Sequence, residues 1–301
     1  LLRLRLTTFC GCGTVRTVPS LKTKVIDSTW PRTQDNVQSP AAVPLMTAPT
    51  TSGVKGVTVI EIYAEPLVPN DPDRNISDLL ADRVRASPDR PLFAVPEGDG
   101  WRDKSSREFE DEVIALAKGF VASGLRPGDK VGFLATTTYR WTLVDFALHY
   151  AGLIMVPVYE TSSPEQIRWI LSDSGAVALM VENDTHDARF SEVRDELPLI
   201  GSYWRMDEGA LDDLVESGSG VDDDEIQQRR RLARSSDIAT IIYTSGSTGR
   251  PKGCVLTHGN FVDTAENAAV ALREVIEQPG ASTVLFITTA HVFARFMSVL
   301  Y

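Results

Sequence analysis

The chain has 301 residues, 43% hydrophobic and 24% charged, an ordinary globular composition long enough for one large domain or two modest ones. No run approaches the ~20 apolar residues that a membrane-spanning helix needs, and a formal charge of −11 argues against a nucleic-acid partner. The three cysteines, Cys10, Cys12 and Cys254, are odd in number and lack metal-ligand spacing, which points to a reduced, intracellular setting.

Residues 1–50 show no hydrophobic period and carry six Lys/Arg against two Asp. Arg3, Arg5, Arg16, Lys22 and Lys24 in this acid-poor setting match a transit peptide, whereas the first methionine, Met46, suits an account in which 1–45 is upstream sequence. Both accounts predict a disordered leader over 1–50.

A strand-like run follows at 57–63. Asn75 or Ser77 is placed to cap a helix that ends near Ala86, before Ser87-Pro88. Residues 91–95 read as a strand. Ser106 is the expected cap of the next helix, whose apolar face is Phe109, Val113, Leu116 and Phe120. Gly124 ends it, and Arg126-Pro-Gly-Asp129 makes a turn. Beyond this the pattern alternates: strands at 130–135, 154–158, 176–181 and 199–203 are separated by helices at 140–150, 164–172 and 185–197. Such alternation predicts an α/β fold with a largely parallel sheet covered by helices on both faces.

Residues 207–225 hold nine acidic side chains around Ser217-Gly-Ser-Gly220. This stretch reads as a solvated peripheral excursion and as the boundary between two lobes. The chain re-enters the core at Asp237. After 253, Thr257 is a helix cap, Phe261, Ala265, Ala268, Leu272 and Ile276 keep a helical face, and 283–287 is the last strand. The end, Tyr301, falls inside an apolar helical run without cap or breaker, as if the sequence continued.

The chemistry concentrates in Ile238-Ala-Thr-Ile-Ile-Tyr-Thr-Ser-Gly-Ser-Thr-Gly-Arg-Pro-Lys-Gly253. A short buried strand leads into a loop with three glycines and four hydroxyl side chains in ten residues, closing on Lys252. Glycines let the backbone approach a ligand closely, successive N–H groups form an anion-binding nest, and lysine is a mobile point charge suited to phosphate. The loop reads as a polyphosphate cradle. The common nucleotide loop places Lys directly after its last Gly, and here Lys252 lies three residues beyond Gly249. A Ser/Gly linker would not follow a buried strand.

Tyr243 to Gly253, continued by Leu256-Thr257-His258-Gly-Asn260, closely resembles the phosphate-binding motif of the adenylate-forming enzymes. Within that superfamily, Val156-Pro-Val-Tyr-Glu-Thr-Ser-Ser-Pro-Glu-Gln-Ile-Arg-Trp-Ile-Leu-Ser-Asp-Ser-Gly175 and Ala290-His-Val-Phe-Ala-Arg295 are similar to long-chain fatty acid–CoA ligases. The resemblance runs from about residue 75 to the end. It implies the N-terminal part of the adenylate-forming fold, with 51–301 a partial adenylation domain whose C-terminal end and C-terminal domain are missing.

The implied reaction joins a long-chain fatty acid to coenzyme A at the expense of ATP, through an acyl-adenylate. By resemblance, Thr244, Ser245, Gly246, Ser247, Thr248, Gly249 and Lys252 hold the β- and γ-phosphates. Lys252 and His291 are the catalytic candidates, His291 bordering the acyl pocket. Phe293 and Phe296 either line an acyl tunnel or are plain core. Where the family pattern has Pro-Leu, this chain has Thr288-Thr289.

Mg²⁺ is implied, but no carboxylate in this chain is nominated to bind it, and the coenzyme A site falls mostly outside the chain. The setting implied is cytoplasmic, with peripheral membrane contact suited to a lipid substrate. Two rivals stand beside this reading: an acyl-AMP ligase or other carboxylate-activating relative, and a non-catalytic protein that binds nucleotide or a partner on a truncated adenylation fold.

Overall fold

The computed structural model describes residues 2–5, 65–244, 250–278 and 280–300. The expected strand at 57–63 and the leader from residue 6 onward lie outside them. Where no structure was expected, Leu2–Arg5 forms strand β1.

The first helix, α1 (Ile76–Ala86), is capped by Asn75, as one of the two expected choices. Its side chain accepts from the Ser77 N–H at 2.9 Å while the Asp78 carboxylate accepts from the Asn75 N–H at 3.0 Å. This reciprocal pair satisfies two N–H groups that a helix start otherwise leaves orphaned. Strands β2 (Pro91–Glu97) and β3 (Gly100–Ser105) form a hairpin. The sequence reading lacked β3, because Trp101-Arg-Asp-Lys104 shows no apolar alternation.

Helix α2 (Ser106–Ala122) is capped by Ser105, not Ser106. Ser105 exchanges bonds with Glu108, and the Ser106 hydroxyl turns back to donate to the Ser87 carbonyl at 2.7 Å. Its expected face is buried throughout, with Phe109, Val113, Leu116 and Phe120 at most 1% exposed.

The alternating region follows as β4 (Lys130–Leu134), α3 (Tyr139–Tyr150), β5 (Ile154–Val158), α4 (Pro164–Ser174), β6 (Ala178–Val181), α5 (Asp184–Ser191) and β7 (Ser202–Arg205). Helix α5 is shorter than expected and gives way to a single 3₁₀ turn at Arg194–Glu196. The last strand begins three residues late. Next come α6 (Ala210–Ser217), α7 (Asp223–Arg230), β8 (Ile238–Thr244), β9 (Lys252–Thr257), α8 (His258–Ala271), α9 (Arg273–Ile276), β10 (Ser282–Leu285) and α10 (Val292–Leu300).

Two sheets result. One runs β10-β1-β2-β3; the other runs β7-β6-β4-β5-β8-β9, parallel from β7 to β8 and antiparallel only at β8–β9. Side chains alternate along the parallel strands, so Val131, Phe133, Met155 and Met180 join a core with α1, α2, α3, α8 and α10. Leu134, Val156, Val158, Leu179 and Val181 join another with α4 and α5. The sheet is covered on both faces, as expected. Helix α3 is buried from Trp141 to Tyr150, including Asp145 and His149.

The acidic stretch is not a boundary between lobes. Val68–Tyr301 falls within one compact unit, and α6 packs closely on α2. A Cβ on Gly119 would collide with the Leu214 backbone, and one on Gly218 would lie 2.5 Å from the Gly119 nitrogen. Lys118 pairs with Asp223 at 2.6 Å, and Arg230 with Asp78 at 2.8 Å. The acidic side chains are exposed, while Leu214 and Ile226 on the same helices are buried in the core.

Candidate functional site

Strand β8 runs to the carboxyl end of the parallel sheet, where the candidate site residues begin. Ala239 to Tyr243 are buried and Thr244 emerges into solvent. The chain returns as β9 in antiparallel register, with Thr244 opposite Lys252 and Tyr243 opposite Gly253. Strand β9 begins at Lys252, so the loop joins the two arms of a hairpin. Ser245, Gly246, Ser247, Thr248 and Gly249 lie outside the described residues. Thr244 and Lys252 stand at its mouth as register partners, both exposed.

Helix α4 grips both arms of this hairpin. The Trp169 indole N–H donates to the Pro251 carbonyl at 2.8 Å, and the Arg250 guanidinium lies 4.8 Å from the centre of the same ring. On the other arm, the Tyr243 hydroxyl donates to Asp173 at 2.6 Å. Burial, with that carboxylate beside it, pushes the Tyr243 hydroxyl above its ordinary range, so it stays a donor. Sequence reasoning missed Trp169 and Asp173 as loop supports. They lie one turn apart on a helix quoted for its family likeness, but only the fold shows that they face the hairpin.

His291 precedes α10 and is exposed. Its carbonyl accepts the Arg295 N–H at 3.1 Å, and its Nδ1 accepts the Phe293 N–H at 3.2 Å. With Nδ1 as acceptor, the proton of the neutral ring sits on Nε2, which is left as a donor. The Thr288-Thr289 departure has a definite place: Thr289 is fully buried and its N–H donates to the Thr137 hydroxyl at 2.9 Å, which in turn reaches the Ile287 carbonyl at 3.3 Å. Phe296 is half-buried against the main core, whereas Phe293 is 52% exposed.

Cys254 is an exposed free thiol on β9. His258 is buried behind the cap residue Thr257 and accepts the Ile76 N–H through Nδ1 at 3.3 Å, a structural role. Burial, reinforced by His149 and Arg295, pushes its pKa down to about 3.

The cleft of about 1030 Å³ lined by Lys104, Thr138, Arg140, Glu182 and Asn183 holds none of the predicted site residues. It lies where strand order reverses around β4, and there the Thr136 N–H and hydroxyl already engage Glu182 at 2.9 and 2.6 Å. Among the described residues, no group of three or more His, Cys, Asp or Glu side chains converges to hold a metal. No residue here is therefore assigned to Mg²⁺.

A model of the family described as AMP-binding enzyme matches residues 80–301. The chain belongs to the AMP-binding enzymes. As such it is 37% identical over 227 residues to the long-chain-fatty-acid–CoA ligase FadD15 of Mycobacterium tuberculosis, covering 74% of this chain and 38% of that protein. It is 26% identical over 239 residues to the long-chain-fatty-acid–CoA ligase ACSBG2 of Xenopus laevis, covering 76% and 32% respectively. This AMP-binding chain thus spans less than two-fifths of these relatives.

Among solved structures, the long-chain-fatty-acid–CoA ligase FadD1 of Archaeoglobus fulgidus superposes with a TM-score of 0.62 at 20% identity, covering 78% of this chain and 46% of that one. The N-terminal domain of FACL13 from Mycobacterium tuberculosis superposes at 0.58 and 22% identity, covering 75% and 54%. These likenesses show the fold: the described architecture is that of the N-terminal domain of adenylate-forming enzymes. No described helix is long and apolar enough to cross a membrane.

Proposed function

We propose that this chain carries the phosphate-binding and carboxylate-activating part of a long-chain fatty acid–CoA ligase. The single observation that carries the reading is the β8–β9 hairpin, which sets Thr244 and Lys252 opposite each other at the mouth of the Ser-Gly-Ser-Thr-Gly loop. The long-chain-fatty-acid–CoA ligases among its relatives supply the substrate class.

In the first half-reaction a fatty acid carboxylate oxygen attacks the α-phosphorus of ATP, and the bond to the pyrophosphate oxygen breaks. Negative charge grows on the departing pyrophosphate. Lys252 stabilises it there, together with Thr244 and the loop's N–H and hydroxyl groups from Ser245 to Gly249. His291, with its Nε2–H free, donates to an oxygen at the reacting centre and holds it in place. It works as a fixed donor, not as a base. In the second half-reaction the sulfur of coenzyme A attacks the acyl carbonyl, AMP leaves, and the thiol proton passes to solvent.

Mg²⁺ accompanies nucleotide phosphates in this chemistry; no described side chain is assigned to it, and no step is built on it. Residues 51–301 are read as part of an adenylation domain, and the setting as cytoplasmic with contact at a membrane surface that supplies the lipid.

The test is product analysis on the protein as its gene encodes it, supplied with ATP, magnesium, a long-chain fatty acid and coenzyme A. Acyl-CoA and AMP are the expected products. Acyl-adenylate without thioester would assign the protein to the acyl-AMP ligases. ATP binding with no acyl product would leave a non-catalytic nucleotide-binding fold.

A further inference from the structure

The most demanding group in the interior is Arg295, which is fully buried one helical turn after His291. Its Nε donates to Asp145 Oδ2 at 3.0 Å and its second arm to Asp145 Oδ1, a bidentate pair. Its other terminal nitrogen donates to the Thr240 hydroxyl in the middle of β8, and that hydroxyl donates to the Met155 carbonyl at 2.7 Å. Its guanidinium also lies 3.3 Å from His149 Nε2 and packs on the faces of Trp141 and Phe261 at 5.8 and 5.6 Å. One side chain of α10 is thus tied to α3, α8 and β8 at once.

Stability alone does not account for this arrangement. Burying two full charges carries a desolvation penalty that their attraction offsets only with good geometry, and apolar pairs of similar size often serve equally well. Burial pushes the Asp145 carboxyl up, but Arg295 and His149 outweigh it and hold the group below its ordinary range, so the pair is ionised. What the pair adds over an apolar contact is direction. A planar fork meeting a carboxylate fixes angle as well as distance.

The two elements so joined are the strand that ends at Thr244 and the helix that begins after His291. We infer that Arg295, through Asp145 and Thr240, is a positioning residue that fixes the His291 segment relative to the phosphate-binding hairpin. The catalytic consequence rests on the ligase reading above. If phosphate and carboxylate are held from these two segments, a shift of α10 along β8 misaligns the two reacting groups while each stays bound to its own segment. A misplacement of that size costs kcat, while KM for ATP and for the fatty acid stays nearly constant.

The experiment compares wild type with two variants, Asp145→Leu/Arg295→Met and Arg295→Lys, in the gene-encoded protein. Three quantities are read: thermal unfolding, steady-state ATP–pyrophosphate exchange, and amide hydrogen exchange at 240–244 and 292–300. The double variant keeps an apolar filling and should unfold near the wild-type temperature. Its kcat should nevertheless fall about 10- to 100-fold at little-changed KM, with faster amide exchange at the start of α10.

Arg295→Lys keeps a charge but loses the fork, and should show the same kcat loss without rescue, which covers the case in which the double variant fails to fold. Wild-type kcat and wild-type amide protection in either folded variant would overturn the inference. If wild type itself performs no pyrophosphate exchange, the ligase reading fails, and amide exchange alone decides whether Arg295 holds the two segments together.

Discussion

Lys252 stands exposed at the mouth of the hairpin, with no part in the two cores, so its removal should leave the fold intact. Lys252→Ala is expected to slow adenylation on the order of 100-fold or more, the scale of losing one preorganised charge stabiliser, with unfolding temperature unchanged. Steady-state pyrophosphate exchange and a thermal melt check both halves of that statement.

His258 is the opposite case, buried and neutral. Its pKa falls from an ordinary 6.5 to about 3 in the folded protein. The unfolded chain therefore binds a proton near pH 6 that the folded one refuses, and stability rises with pH across that window. The contribution is fully present above about pH 6.5 and is lost as pH falls toward about 3, by a few kcal/mol at most. His258→Asn keeps an acceptor for the Ile76 N–H without the titration. Denaturant unfolding from pH 7 to 4 should be flatter in that variant than in wild type; an unchanged slope would mean that another group carries the acid sensitivity. Asp145, held below its ordinary range, acts in the same direction but only at more acidic pH.

At the scale of elements, α4 supports the hairpin that carries the proposed phosphate loop. Trp169→Phe keeps the ring under Arg250 and deletes the N–H that Pro251 accepts. A lost hydrogen bond of ~1 kcal/mol corresponds to about a fivefold rise in KM for ATP, and Trp169→Ala should raise it further. Steady-state kinetics over a range of ATP concentrations checks this.

A second element-level device is the α2–α6 contact. Gly119→Ala would push a methyl group into the Leu214 backbone, and overpacking of this kind costs about 1–3 kcal/mol. Chemical unfolding measures it, and a change within ±0.3 kcal/mol, about the error of such comparisons, would show that the helices can separate freely.

Much of this was readable in advance, because the apolar alternation around β4, β5 and β6 and the Asn75 and Thr257 caps are local signals. The missed elements lacked them. Strand β3 has no alternating face, and α7 is so polar that Ile226 is its single buried apolar residue. The acidic run was misread as a boundary because charge is visible in a sequence, whereas the glycine contact that docks α6 is not.

At the scale of the whole molecule, the fold ties the proposed phosphate hairpin to α4 and to α10 through contacts that span 55 to 82 residues of sequence. The motif residues Thr244, Lys252 and His291 could be named from sequence because their spacing is local to short stretches. Their supports could not. Asp145 and His149 sit on a helix buried all round, and Arg295 is the lone charge in an apolar helix, Val292-Phe-Ala-Arg-Phe-Met-Ser-Val-Leu300. Each is a polar residue at an apolar position, a signal that calls for a partner without saying where it is. Only the long-range packing of α3 against β8 and α10 answers it.

The measurement that bears most directly on the account is fatty-acid-dependent ATP–pyrophosphate exchange by the gene-encoded protein, wild type beside Lys252→Ala. The account predicts exchange that requires a long-chain fatty acid and collapses in the variant while ATP still binds. Exchange that is equal in the two proteins, or absent from wild type with every carboxylate tried, would contradict it.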